Sequence, residues 1–536
     1  MNSNFLRGRE TQSSGTAAPA FEGAALAELI HRIREPVAIV RSPDGLRLGL
    51  RLGLPLGGAA DADMVASLPP LYPEWLGERA FLEAHTLRFP YVVGEMARGI
   101  ATADMVIAAG EAGLLGFFGA AGLSLPEIER NLDRIAAAAD GRSWTWGANL
   151  IHSPADPALE TATADLYVRR GVRRVSASAF MALSPAVVRY AFHGVRLAAD
   201  GTVVRPNHVF AKVSRPEVAA QFMAPPPPAM LDKLVADGAL SAAEAEIARH
   251  LAVAEDFVAE ADSGGHTDNR PLPVLIPLLI GERDRAMQRF GYARTIRVGA
   301  AGGIGTPAAT ASAFALGAAF VCTGSINQAC VESGLSAAAR AMLAAAAAAD
   351  VAMAPAADMF ELGVKVQVLK KGTLFAMRAQ RLYDIYRRAS GLEDLSTEER
   401  TQLERDIFRA PLDTIWDETR AYFAGRDPEQ IERAAREPRH KMALVFRWYL
   451  GGSSRWPIEG NPDRCLDYQL WCGPAMGAFN DWAAGSFLEA AGNRTVVQIA
   501  RNLLEGAAVL SRAQQCRTAG LAVPPEAFRF SPRHLT

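Results

Sequence analysis

The chain has 536 residues, half of them apolar and 21% charged, enough for one large core plus an appended domain. Its 56 basic and 58 acidic side chains leave a formal net charge of -2, so no global attraction to nucleic acid or an anionic membrane is expected and any basic surface must be local. Five cysteines (Cys322, Cys330, Cys465, Cys472 and Cys516), without a C-x-x-C pair, argue against a disulfide framework or a structural zinc site and fit a reducing cytoplasm.

Residues 1–24 read as a disordered tail of small and polar residues, lacking the apolar core of a secretory signal. Residues 25–89 read as a hairpin and connector: VAIVRSPDGLRLGL folds back at Asp44-Gly45, where glycine tolerates the positive φ of a tight turn, and the Pro-rich LPPLYPEW follows.

From residue 90 short β-prone runs alternate with amphipathic helical segments. Strands are predicted at 90–93, 114–119, 145–151, 173–179, 208–213, 256–262, 296–302 and 320–324, with helices such as 125–139, 158–170, 271–289 and 307–316 between them. This alternation predicts parallel strands with crossover helices, and eight units predict a closed TIM (β/α)8 barrel over 90–350; an open doubly wound sheet is the alternative. Two segments interrupt the pattern. VRLAADGTVVRPN (195–207) reads as a hairpin on Asp200-Gly201, and 225–255 as a proline-led helical pair; lid, partner surface and neutral insertion all stay open for both. The run PLPVLIPLLI is too short to span a bilayer and carries three prolines. Beyond about residue 350 the strands are expected to stop, leaving 351–536 as a mainly helical C-terminal substrate or partner domain.

In such a barrel the working residues follow the strands. Gly299-Ala300-Ala301-Gly302-Gly303-Ile304-Gly305 follows strand 7 and Cys322-Thr323-Gly324-Ser325 follows strand 8, the two loops that commonly bind phosphate; tight turns are the other reading of these glycines. Asp262-Ser263-Gly264-Gly265-His266-Thr267-Asp268 follows strand 6. Glycines before His266 supply no packing surface, so His266 is read as a proton-transfer or substrate-polarising group, against a histidine that merely bonds backbone. After strand 1, Gly94, Met96 and Ala97 offer a place for a flat ring; after strand 3, Asn149 offers an amide; in strand 5, Lys212 needs an anionic or electron-rich partner. A turn glycine, a cap amide and a snorkelling lysine are the plain alternatives.

Together PYVVGEMARGIAT, GANLI, FAKVSRPE, ADSGGHTDNRP, VGAAGGIGTP and VCTGSINQAC resemble the FMN-dependent group of nitronate monooxygenases and FabK-type enoyl reductases. SASAFM, FELGVKVQVLKKGTLFAMRA, RWYLGGSSRWPIEG and DYQLWCGPAMGAFNDW make the chain more similar to PfaD-type trans-acting enoyl reductases of polyketide and polyunsaturated fatty acid synthases. That resemblance implies FMN with its phosphate on Gly302, Gly303, Gly324 and Ser325, and its ring near Met96 and Ala97 with Asn149 and Lys212 around it. Gly94, Gly264 and Gly265 complete the expected cofactor-binding set, and His266 falls on the active-site histidine. It further implies NADPH or NADH as reductant, an enoyl thioester on an acyl carrier protein as substrate, and a cytoplasmic enzyme; a homodimer stays open. Lys365, Lys370, Lys371, Arg378, Arg381, Arg387 and Arg388 are a local basic cluster that would suit an acidic carrier, or a solvated helix face. The rival activities are a nitronate monooxygenase and a flavin-free barrel isomerase or lyase.

Overall fold

Asp44-Gly45 reverses the chain as expected: Gly45 sits at φ 73°, and β1 (Val37–Arg41) pairs antiparallel with β2 (Leu48–Leu52). A third strand, β3 (Met64–Leu68), joins the free edge of β1, so the predicted hairpin is the core of a three-stranded sheet. The computed structural model describes residues 18–53, 63–154 and 156–536. The first 17 residues of the expected tail lie outside the described residues. The tail ends earlier than its composition indicates, because Gly23–His31 is helical and buries Leu26, Ala27 and Ile30. The described part of Met1–Leu76, with Leu504–Ser531, is one compact unit, whose core joins those three residues to Val37, Ile39, Leu50, Cys516 and Leu521.

Gly77–Leu503, with Pro532–Thr536, forms the second unit. Its strands come in chain order as β4 (Tyr91–Val93), β5 (Leu115–Phe118), β6 (Trp146–Ile151) and β7 (Arg174–Ser178). A small hairpin of β8 (Arg196–Leu197) and β9 (Val203–Val204) follows, turned by Gly201 at φ 80°. Next come β10 (His208–Val213), β11 (Asp256–Glu260), the two-residue β12 (Gly265–His266), β13 (Arg297–Ala301) and β14 (Val321–Thr323). All but β8, β9 and β12 close into one parallel eight-stranded barrel, each strand lying within its predicted segment. The crossover helices start where the sequence provides caps. Ser124 and Glu127 form a capping box before Leu125–Ala139, satisfying N–H groups that a helix start leaves unpaired. Ser241 and Glu244 do the same for the second helix of the proline-led pair, Pro228–Ala236 and Ala242–Ala248.

The barrel interior is filled, not hollow. Phe117, Phe210 and Phe320 point into it, and Phe81 from the helix Arg79–His85 stacks on Phe320 at 4.2 Å. Each such ring contributes about 1.5–3 kcal/mol by leaving water. Their bulk fills that end of the barrel with packed rings.

Strands do not stop at residue 350. β15 (Val351–Pro355) and β16 (Lys365–Leu369) form an antiparallel hairpin, and β12 adds to its edge in the order β12-β16-β15. Val366 and Val368 are buried there, an apolar demand met by sheet packing rather than by a helix. After it the chain is mainly helical, with Phe375–Arg388, Leu412–Ala424, Pro438–Glu459 and Val496–Thr518 as its longest elements. Among the described residues no helix is long and apolar enough to cross a membrane.

Candidate active site

The carboxyl ends of the barrel strands bring together the residues singled out in the sequence. Lys212, next to last in β10, lies with Nζ 2.9 Å from Glu95 Oε1 and 3.2 Å from Glu260 Oε1. Glu95 follows β4 and Glu260 ends β11, so three strands contribute to one ionic cluster. Burial disfavours the ammonium, but the two carboxylates outweigh it and raise the pKa of Lys212 above its ordinary value. The partner that the sequence requires for Lys212 is thus a pair of carboxylates. An ammonium has three N–H donors, and two ion-pair partners leave one for a ligand.

His266 stands beside this cluster on the loop after β11. Its backbone is held by β12–β16 pairing, with His266 opposite Val366 and Gly265 opposite Gln367. Its Nε2 lies 3.3 Å from Asp358 Oδ1, and 45% of its side chain is accessible. Burial pulls its pKa down; the Asp358 hydrogen bond and charge, with Glu260, more than offset that and leave it raised. The same loop is anchored by Asp268, which accepts from Arg215 Nε at 2.9 Å and Ser214 Oγ at 2.6 Å. The Arg215 hydrogen bond, opposed by burial, brings the Asp268 carboxyl down to about 2.

The glycines separate into those explained by the chain's own packing and those that are not. A Cβ on Gly302 would stand 2.6 Å from the Ala261 carbonyl carbon, and one on Gly305 would meet Ala475 O at 2.1 Å. Gly94 faces Cys322 Sγ at 2.9 Å, and Gly264 faces Cys472 N at 2.7 Å. Gly265 and Gly303 have φ of 87° and 70°, a left-handed backbone that favours glycine. Gly303 nevertheless has nothing within 4 Å of its absent side chain. Gly324 has neither crowding within 4 Å nor a positive φ, yet it opens the short helical turn Ser325–Ala329. Uncovered backbone at two neighbouring strand ends leaves room for an anionic group to approach backbone N–H donors, which side chains there would block.

Asn149 is buried, and its Nδ2 donates to Ser176 O at 3.0 Å and Ser178 Oγ at 2.7 Å, so its orientation is fixed by β7. Met96 is buried and Ala97 partly so; the Met96 carbonyl lies where a side chain on Gly119 would be, 1.8 Å from its Cβ position. Beside the mouth runs a groove of about 530 Å³ lined by Ser214, Arg215, Glu217, Arg270, Val274 and Leu278.

Glu95, Glu260 and Asp358 were not among the residues read from the sequence. Glu95 sits inside the quoted GEMA run between Gly94 and Met96, so its neighbours were its signal. Asp358 had none, since its contact with His266 spans a hairpin that sequence periodicity did not disclose. Several members of the expected basic cluster have partners in the chain. Arg378 pairs with Asp467, Arg388 with Glu399 and Lys371 with Asp350, while Arg381 bonds Gln402; Lys365, Lys370 and Arg387 are exposed.

The site sits at the carboxyl face of a closed eight-stranded barrel, and comparison with known proteins gives its class. The family model described as nitronate monooxygenase matches residues 79–383, and the chain belongs to that family. Residues 389–468 match the inserted helical domain of [acyl-carrier-protein] S-malonyltransferase. The enoyl reductase domain of MlnA, from the macrolactin cluster of Bacillus amyloliquefaciens, is 38% identical with a TM-score of 0.79, over 83% of this chain and 99% of that one. The polyketide biosynthesis protein PksE of Bacillus subtilis is 40% identical over 94% of this chain and 64% of its own length. A polyunsaturated fatty acid synthase component of a Thraustochytrium species is 46% identical over 85% of this chain, which spans only 31% of that much longer protein. The resemblance drawn from the sequence motifs therefore holds.

Proposed function

We propose that the chain is an FMN-dependent enoyl reductase that reduces the α,β-double bond of enoyl thioesters carried by an acyl carrier protein, with NADPH or NADH as reductant, in polyketide or polyunsaturated fatty acid synthesis. The observation that carries the reading is the uncovered backbone at Gly303 and Gly324, on the same barrel face as the Lys212 ionic cluster and His266. FMN bound there would relay a hydride from the reduced nicotinamide to the β-carbon of the enoyl group. Gly302, Gly303, Gly324 and Ser325 would hold its phosphate, while Met96, Ala97, Asn149 and the third N–H of Lys212 would face its ring.

His266 does the acid chemistry in this reading. It stabilises the negative charge that grows on the thioester oxygen and delivers a proton to the α-carbon. The groove beside the mouth suits the extended part of a substrate or reductant. A carrier protein as partner is supported by the similarity of residues 389–468 to a helical domain of a carrier-protein transferase, and by the origin of the MlnA enoyl reductase domain in a macrolactin biosynthesis cluster.

An anaerobic titration tests the proposal. The purified protein should be yellow, bleach with NADPH or NADH, and recover its colour on adding a crotonyl thioester. Colourless protein that takes up no FMN would favour an isomerase or lyase. Recovery only with O₂, together with nitronate turnover, would make it a monooxygenase.

A further inference from the structure

We propose that Asp358, in the loop joining β15 to β16, is a positioning residue for His266: the hairpin holds the histidine's backbone by strand pairing and faces its imidazole with a carboxylate at ion-pair distance. This rests on the reading of His266 as the proton donor. The two contacts come from one 19-residue piece of chain, Val351–Leu369. β16 supplies Gln367 and Val366 opposite Gly265 and His266, and the loop before it reaches over to place Asp358 Oδ1 3.3 Å from Nε2. Gln367 reinforces the arrangement by donating from Nε2 to Ser263 O at 2.9 Å and Asp262 Oδ1 at 2.8 Å, on the same loop.

With Nε2 facing Asp358, Nδ1 is the nitrogen left to meet the substrate. An imidazole whose one nitrogen faces a carboxylate is oriented and favours the protonated form, the state a proton donor must start in. The other charges around it are Glu260 on β11, Lys212 on β10 and Glu95 after β4, the last two bound to each other. Asp268 is taken up by Arg215 and Ser214, and Asp262 accepts from Asn269 and Gln367. Asp358 is therefore the carboxylate that pairs with the His266 ring. Its side chain is 60% exposed, so its role is not to support the core.

Asp358→Asn and Asp358→Glu in the holoenzyme test this. The His266 resonance, assigned by its absence in His266→Ala, is followed by NMR through a pH titration, and both half-reactions by anaerobic stopped flow. Asp358→Asn should move the His266 titration to lower pH and slow reoxidation by a crotonyl thioester about 2- to 5-fold, the scale of a lost, partly exposed ion pair. Flavin content and bleaching by NADPH should not change, and Asp358→Glu should restore part of the loss. An unmoved His266 titration in Asp358→Asn overturns the proposal whatever the kinetics do, as does equal slowing of both half-reactions. If His266→Ala reoxidises at the parental rate while the titration still shifts, the positioning stands and the reading of His266 as proton donor fails.

Discussion

The two ends of the barrel are built from the same residue types and do opposite things. At the base, Asp256 begins β11 and receives Arg297 Nε at 2.6 Å, Arg297 Nη2 at 2.8 Å and His85 Nε2 at 2.9 Å. Arg174 Nε donates to His85 Nδ1 at 3.1 Å, which makes His85 the neutral tautomer with its proton on Nε2. His85 and Asp256 are fully buried beneath the Phe81–Phe210–Phe320 layer. Burial lowers the pKa of His85, and it lowers that of neighbouring His208 well below the usual value. At the mouth, His266 is half-exposed and its pKa is raised. A histidine kept neutral under an aromatic lid is a strut, and one held beside carboxylates at an open mouth can move protons. The side chains of His85, His208 and Asp256 lie close enough to hold a metal, but both Asp256 oxygens are engaged, and two arginines make the surroundings cationic. The base reads as structure.

That contrast predicts that mouth substitutions change chemistry and spare the fold, and that base substitutions do the reverse. The largest effect belongs to Gly324→Val, at a negative φ of -122° where a side chain is sterically allowed and fills open space: folded protein should purify without flavin, and all redox activity should vanish. Flavin per folded chain, read from the visible spectrum, checks it; full occupancy would move the phosphate elsewhere. Next, His266→Ala should keep its flavin and bleach normally with NADPH but reoxidise with an enoyl thioester about 10²–10⁴-fold more slowly. Parental reoxidation would make this histidine structural after all and erase the contrast.

At the base, Asp256→Ala strands Arg297 in the interior and should cost about 3–5 kcal/mol of stability, seen as a lower urea midpoint, while flavin affinity in the remaining folded protein stays near the parental value. The smallest effect is acid sensitivity. Both base histidines titrate lower when folded than when unfolded, so their neutral forms stabilise the fold above about pH 6.5, and this contribution is lost as pH falls below it. Each should cost up to about 1.4 kcal/mol per pH unit until its folded pKa is reached. Urea midpoints between pH 7.5 and 5.5 measure the slope, which His208→Gln should flatten.

The barrel was largely legible in the sequence because its strands print as short apolar runs, and the residues after them come together at one end. PYVV, HVFAKV and IRVGAAG each gave both the strand and the residues beyond it. The base was not legible: His85, Arg174, Asp256 and Arg297 lie far apart in the chain, and each alone passes for a polar residue at the edge of a strand or helix. The same holds for β15 and β16. VAMAP ends on proline after an alanine-rich helix, and only the buried Val366, Gln367 and Val368 reveal the sheet. Lys212 shows the intermediate case, where the sequence demanded a partner and could not say which.

The seam around Gly264 bears on how this chain can be cut and recombined. Its missing Cβ leaves room for Cys472, Trp471 bridges Val368, and Cys472 N donates to Gln367 O at 3.3 Å, so residues 470–472 share one edge of β16 with the histidine loop. A fragment that ended where the eight strands are complete would retain every barrel strand and still lose the backing of its histidine loop. Any transplant or split design must therefore carry the chain through at least Cys472 to keep the histidine loop backed.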